Sequence, residues 1–175
     1  MIKNFNNYKQ ICNVVCAVLA LVLFLAMFLP FWVFAEQEID ASIADYLWFP
    51  TDLENLEDMM KDWTGLTKKA DFVAMKNDMV LPLFFSFVLS AVAFVIGGII
   101  KRRTIVAPLM GAVSGVWMTV ALLTQTVFSY GQNFGLVVAV AAVTGVVCVA
   151  TLGLYVAQKI YQTREKNKKY KQYRQ

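Results

Sequence analysis

The sequence contains no histidine, and only 16% of its 175 residues are charged, against 59% that are hydrophobic. Without imidazole the chain has no histidine metal ligand, no Ser-His-Asp or Cys-His nucleophile, and no side chain that ordinarily titrates near neutral pH. Average proteins are ~45–50% apolar and ~25% charged, so this composition does not fit a water-soluble domain. These absences weigh against most classes of enzyme and direct attention to a membrane.

Charge is missing altogether from four long apolar runs, at residues 11–34, 79–100, 105–128 and 134–157. Each run is long enough to cross a bilayer as a helix of ~20 residues. Barrel strands are not favoured, because the runs do not alternate with a period of two. The sequence therefore predicts an all-α integral membrane protein, with four transmembrane helices in an antiparallel up-down bundle.

Basic residues fall in segments 1–10, 101–104 and 158–175, which together carry a net charge of +11. Since basic segments stay in the cytoplasm, we predict a protein of the cell (plasma or inner) membrane with both termini cytoplasmic. Residues 35–78 and the short loop 129–133 are then extracytoplasmic. The first run resembles a signal peptide, but its 19 apolar residues before Pro30 exceed the ~7–15 of a signal core, so we expect it to be retained.

Segment 35–78 carries 11 of the 12 acidic residues and has a net charge of −7. Thr51 and Glu54 have capping-box spacing after Pro50, and apolar residues follow with helical periodicity. Ser42 begins a second, shorter helical pattern through residue 49. We predict a small helical cap between the first two transmembrane helices. Its acids lack the spacing of a calcium loop, so no metal site is expected.

The apolar face of the cap has two interpretations. It packs on the helix ends and headgroups, where Trp is favoured, or it docks a partner protein. The residues concerned are Trp48, Phe49, Leu53, Leu56, Met60 and Trp63.

Small residues recur every four positions in the third and fourth runs, a pattern that lets membrane helices approach closely. The third run includes a Gly-x-x-x-Gly motif, and we favour packing within the chain over a homodimer face. The set is Ala107, Gly111, Gly115, Thr119, Ala141, Gly145, Gly153 and Ala157.

A few polar side chains lie within the third and fourth runs: Gln125, Thr144, Cys148 and Thr151. They could line a path for a polar solute, or their hydroxyls could bond carbonyls of their own helix. No ionisable carboxylate or amine lies in any run, which disfavours a proton-coupled carrier. The three cysteines, Cys12, Cys16 and Cys148, have no Cys-x-x-Cys spacing and are expected to act as small inert hydrophobes.

Basic residues at the inner ends are expected to contact anionic headgroups, at ~1 kcal/mol each. They are Lys101, Arg102, Arg103, Lys159, Arg164, Lys166, Lys168 and Lys169. Nucleic acid is not the expected partner, because this segment begins at the membrane surface.

Three functions follow from these patterns. The first is a non-enzymatic accessory subunit of a membrane complex, with a membrane-protein partner or self-association and no cofactor. The alternative is a small homo-oligomeric channel or carrier for an uncharged or weakly polar solute. An enzyme is least favoured, since nothing in the spacing of the cap carboxylates selects an acid–base pair.

Overall fold

The computed structural model describes residues 2–34, 39–43, 83–100, 105–124 and 132–172. Four helices account for most of these ranges: α1 (Ile2–Ala26), α2 (83–100), α3 (Val106–Thr124) and α4 (Phe134–Gln172). Three stretches are long and apolar enough to cross a membrane, namely Tyr8–Ala26, Val106–Thr124 and Phe134–Asn167, whereas the apolar stretch Leu83–Gly97 is shorter. The predicted set of four apolar helices is thus present.

The first helix ends at Ala26, although the sequence predicted a helix through residue 34. Met27, Phe28 and Leu29 donate to carbonyls three residues back, and strand β1 (Pro30–Phe34) then pairs antiparallel with β2 (Ile39–Ser42). Pro30 explains the change, because it has no N–H and its ring clashes with the preceding helical turn. The aromatic and β-branched residues after it suit a strand. Ser42 ends β2 and the next residue, Ile43, is helical, which fits the predicted helix start at Ser42; the rest of that predicted helix lies outside the described residues.

The second helix changes its winding along its length. Residues 83–92 are α-helical, and Ala93–Ile100 form a π-helix. A side chain at Gly97 would overlap Ala107 of α3, so the missing Cβ permits close contact there. The two helices also share a hydrogen bond, which the Ser114 hydroxyl donates to the Ser86 carbonyl at 2.7 Å.

The fourth helix continues far beyond the predicted apolar span, which ended at residue 157. It runs without a break to Gln172, because the basic segment is rich in helix-forming residues and contains neither proline nor glycine. At 1.5 Å per residue, its 39 residues extend ~58 Å, about twice the ~30 Å hydrocarbon thickness of a bilayer.

Burial in the described bundle is the reverse of that in a soluble protein. The buried positions are mostly small residues, such as Ala20, Ala107, Ala141, Ser90 and Ser114. Most large apolar side chains, including many valines and Trp117, lie on the outside, whereas a few such as Leu23, Met118 and Leu122 are fully buried. Contiguous apolar surface of this kind is rare on soluble monomers, whereas close approach through small residues is typical of membrane helices.

Two contacts define one end of the bundle, the end at which α1 stops. Phe87 of α2 packs against Phe24 and Phe28 of α1, with ring centroids 4.5 and 5.6 Å apart. Asn133, just before α4, donates to the Pro30 carbonyl. These contacts join α1 and its hairpin to the starts of α2 and α4.

Candidate functional site

Helices α3 and α4 meet through glycine and alanine, without intervening large side chains. A Cβ on Gly115 would lie 2.7 Å from the Ala141 carbonyl oxygen and 2.8 Å from the Gly145 Cα. A Cβ on Gly145 would lie 3.0 Å from the Val116 nitrogen. The structure therefore brings three of the predicted packing residues, Gly115, Ala141 and Gly145, into one backbone-to-backbone contact.

The other predicted packing residues of α3 have different surroundings. Gly111 faces Cys148, since a Cβ there would lie 2.8 Å from the Cys148 sulfur. Ala107 faces Gly97 of α2 instead of α4. Thr119 is half-buried, and its hydroxyl donates to the Gly115 carbonyl of its own helix at 2.7 Å.

Gly153 and Ala157, also predicted to pack, are exposed, and nothing described lies within 4 Å of a Cβ on Gly153. A strict four-residue step rotates ~40° per step around a helix of 3.6 residues per turn, so it leaves the buried face after a few steps. The buried positions Val137, Ala141, Thr144, Cys148 and Thr151 instead alternate steps of four and three. Gly153 and Ala157 therefore take no part in the packing between the described helices.

The polar stripe of α4 faces the bundle interior. Thr144 donates to the Val140 carbonyl at 2.7 Å, with the Leu19 carbonyl of α1 at 3.4 Å, and Thr151 donates to the Val147 carbonyl at 2.8 Å. Both hydroxyls thus bond the carbonyl one turn back, the second of the two arrangements considered for this stripe.

The cysteine of the stripe lies against α1. Cys148 and Cys16 belong to one buried cluster. The Cys16 thiol also lies 3.5 Å from the Thr151 hydroxyl. Within the described ranges no group of three metal-ligating side chains is assembled.

One turn beyond Thr151, Tyr155 connects α4 to the start of α1. Its hydroxyl lies 2.7 Å from Asn13 Oδ1 and 3.0 Å from the Lys9 carbonyl oxygen. The Lys9 ammonium lies 5.1 Å from the centre of the Tyr155 ring, within the range of a cation–π contact. The N-terminal half of α1 and the middle of α4 are therefore held together by polar contacts.

Trp117 is a surface feature that the sequence reasoning missed. It is the twelfth residue of the 19-residue α3, and the residue is 49% exposed. Val113, Val116 and Val120 are exposed on the same face. Among the described residues the indole N–H has no hydrogen-bond partner. A tryptophan in mid-run, away from the ends where Trp is favoured, was the available signal.

Several predicted site residues lie outside the described residues: Gln125, the cap face (Trp48, Phe49, Leu53, Leu56, Met60 and Trp63), and Lys101, Arg102 and Arg103. Of the predicted headgroup contacts on α4, Lys159, Arg164 and Lys166 are exposed. Lys168 and Lys169 lie in the same helix.

Comparisons of the chain with protein-family models, with curated proteins and with solved structures find no match for it.

Proposed function

We propose that the chain is a four-span protein of the cell membrane and a non-enzymatic subunit of a membrane-protein complex. Three of its helices are long and apolar enough to span, and their large apolar side chains face outward. The separation of charge, −7 for residues 36–78 and +11 on the inner segments, supports cytoplasmic termini and an extracytoplasmic cap.

The observation that carries the subunit role is the exposure of Trp117. Trp117 stands in the middle of the uncharged run 105–128, so in a spanning α3 it lies at a depth at which lipid offers hydrocarbon only. Exposing an N–H donor to hydrocarbon costs free energy unless an acceptor is supplied. Tryptophan is also among the residues that most often dominate the energy of protein interfaces.

The partner that fits this face is a transmembrane helix of another protein. Its carbonyl or hydroxyl would accept the indole N–H, and its small residues would let Val113, Val116 and Val120 pack closely. This binding would depend on complementary shape and one hydrogen bond, so the subunit role requires neither a cofactor nor a catalytic group.

A solute path receives less support from the described residues. Thr144, Cys148 and Thr151 are buried, and both threonine hydroxyls donate within their own helix. The Gln125 part of the predicted path stays a prediction. The subunit role is therefore ranked above a channel or carrier.

Site-specific photo-crosslinking in intact membranes tests the proposal. A photoreactive phenylalanine analogue at Val120, which is 55% exposed beside an intact Trp117, should give a discrete adduct with one membrane protein. The matched control places it at Val146, which is 69% exposed on α4 and should crosslink to lipid only. Mass spectrometry identifies both adducts.

Three outcomes would contradict the proposal. Lipid adducts alone at position 120 would remove the docking face, and an adduct with a second copy of the chain would favour the homo-oligomeric alternative. Recovery of the chain in the soluble fraction would overturn membrane insertion itself. Cysteine-accessibility labelling of residues 35–78 and of the inner tail tests orientation separately.

A further inference from the structure

The part of α4 beyond its apolar run, residues 158–172, is called the α4 extension below. Residues 159–167 are all exposed, including Tyr161 at 62%. The polar contacts of α4 with α1 are made by Tyr155, before the extension begins. A helix that packs on nothing described over this length has its whole circumference available to a partner.

The extension reaches well beyond the lipid headgroups. Helix α4 is unbroken, so Gln172 lies 15 residues, or ~22 Å, past Ala157, the last residue of the apolar run. The headgroup zone on each side of the hydrocarbon core is only ~5–8 Å deep. Even at a helix tilt of ~40°, the end of α4 lies ~17 Å from the core. Lys159, ~3 Å past Ala157, is therefore at headgroup depth, whereas the basic residues from Arg164 onward lie ~10–21 Å past it.

The extension is strongly basic and does not neutralise itself. Residues 158–175 contain seven basic residues and one acidic residue, a net charge of +6. The acidic residue, Glu165, accepts a hydrogen bond from the Tyr161 hydroxyl at 3.1 Å. In the described part of the extension, Arg164 and Lys166 are exposed and form no ion pair. The partner that such a helix attracts is a polyanion.

The basic positions beyond the headgroups surround the helix instead of marking one face. At 100° per residue they leave no gap wider than ~140° around the axis; they are Arg164, Lys166, Lys168, Lys169 and Lys171. An acidic helix or a lipid surface would meet one side only. The major groove of B-form DNA is ~12 Å wide, so it admits an α-helix of ~10–12 Å diameter, and phosphates follow both of its edges.

We propose that the α4 extension binds duplex DNA by lying in the major groove, with its basic residues on phosphates of both strands. The start of this segment at the membrane surface disfavours nucleic acid, but the unbroken helix takes Arg164 and the later basic residues out of the headgroup zone. Contacts to phosphate carry no sequence information, so the binding is not sequence-specific. The proposal rests on the membrane insertion in the proposed function and not on the subunit role.

The full chain in nanodiscs of phosphatidylcholine provides the test, because these have no net charge and leave both faces of the bilayer open. Fluorescence anisotropy of a short DNA duplex gives the dissociation constant over a series of salt concentrations. The logarithm of the association constant should fall linearly with the logarithm of salt concentration, by about 0.9 per phosphate contact. If each of the five basic residues contacts one phosphate, the slope is about −4.5.

Single substitutions locate the contacts along the helix. Lys166→Gln should flatten the slope by about 0.9 and weaken binding about eightfold at ~0.1 M salt. The matched control Lys159→Gln removes the same charge at headgroup depth and should change binding less than about twofold. Asn167→Pro keeps every charge but breaks the helix between Lys166 and Lys168, and should weaken binding about fivefold or more.

Each part of the proposal has an outcome that would overturn it. Equal losses at Lys159 and Lys166 would indicate diffuse attraction, and unchanged binding by Asn167→Pro would show that no helix enters a groove. Polyglutamate that binds as tightly as DNA would identify an acidic protein as the partner, and an equally tight RNA duplex would remove the fit to the B-form groove. Any of these results in nanodisc-bound protein refutes the DNA site alone, whereas a chain that does not enter nanodiscs refutes membrane insertion.

Discussion

Replacing Gly115 with alanine should destabilise the bundle more than the same change at Gly145 or Gly153. At Gly115 the new Cβ would meet backbone atoms of α4, at 2.7 Å from the Ala141 oxygen and 2.8 Å from the Gly145 Cα. Carbon atoms prefer separations of ~3.5–4.0 Å, so the helices must move apart by roughly 0.7 Å or more. Backbone atoms cannot rotate aside as a side chain can.

The expected magnitude is a difference of two effects. Alanine gains up to ~1 kcal/mol over glycine in a helix interior, whereas overpacking costs ~1–3 kcal/mol. For Gly115→Ala the overpacking cost dominates, and the net loss in the free energy of unfolding should approach ~2 kcal/mol. For Gly145→Ala the closest approach is 3.0 Å, so the two effects should nearly cancel. Gly153→Ala meets nothing described within 4 Å and should leave stability unchanged or raised.

Unfolding in mixed micelles with increasing denaturing detergent, followed by circular dichroism, measures all three variants under one condition. The required order of stability is Gly153→Ala, then Gly145→Ala, then Gly115→Ala. If Gly115→Ala is as stable as Gly153→Ala, α3 and α4 do not meet through their backbones and the reasoning fails.

Two further predictions concern contacts between α1 and α4. In a Cys12→Ala variant, the membrane-permeant oxidant diamide should form a disulfide between Cys16 and Cys148, and diamide itself takes up the two thiol hydrogens. If non-reducing mass analysis finds both thiols still free, the two cysteines are not close together. Tyr155→Phe should lower the free energy of unfolding by ~0.5–1.5 kcal/mol, because it removes the hydroxyl that joins the two helices. The control Tyr161→Phe removes only an exposed hydrogen bond within α4 and should change the free energy of unfolding little. Equal effects of the two substitutions in detergent unfolding would contradict the inter-helix role of Tyr155.

The apolar runs predicted the helices because long uncharged segments have few alternatives, but they did not predict where the helices end. The run through residue 34 carries no charge, and the end of α1 at Ala26 depends on Pro30 and on pairing with β2, which lies outside the run and begins five residues after it. The end of α4 also differs from its predicted position, but here the helix is longer than predicted. Polarity changes sharply after residue 157 while helix propensity does not, so the helix continues to Gln172.

The four-residue repeat of small residues identified the contact at Gly115 and Gly145 but extended it too far. A repeat of four residues does not stay on one face of a helix for more than a few turns, because one turn takes 3.6 residues and each step of four rotates ~40° past it. Exposure of Trp117 could not be predicted either. Hydropathy predicts that Trp117 lies in a membrane-spanning helix. Whether its side chain faces other helices or the outside depends on how α3 packs against α2 and α4.

The small-residue core has a consequence for any partner of this chain. Because Ala, Gly, Ser, Thr and Cys make up most of the described interior, most of the large side chains that could recognise another helix are on the surface that lipid would contact in an inserted bundle. Apolar contact does not distinguish a partner helix from lipid, since lipid tails are as apolar as leucine. A partner helix can therefore be recognised only by its shape and by hydrogen bonds. On the described face of α3, the indole N–H of Trp117 is the donor that lipid tails cannot satisfy. Recognition by this face should therefore depend on Trp117 far more than on the area of its valine neighbours.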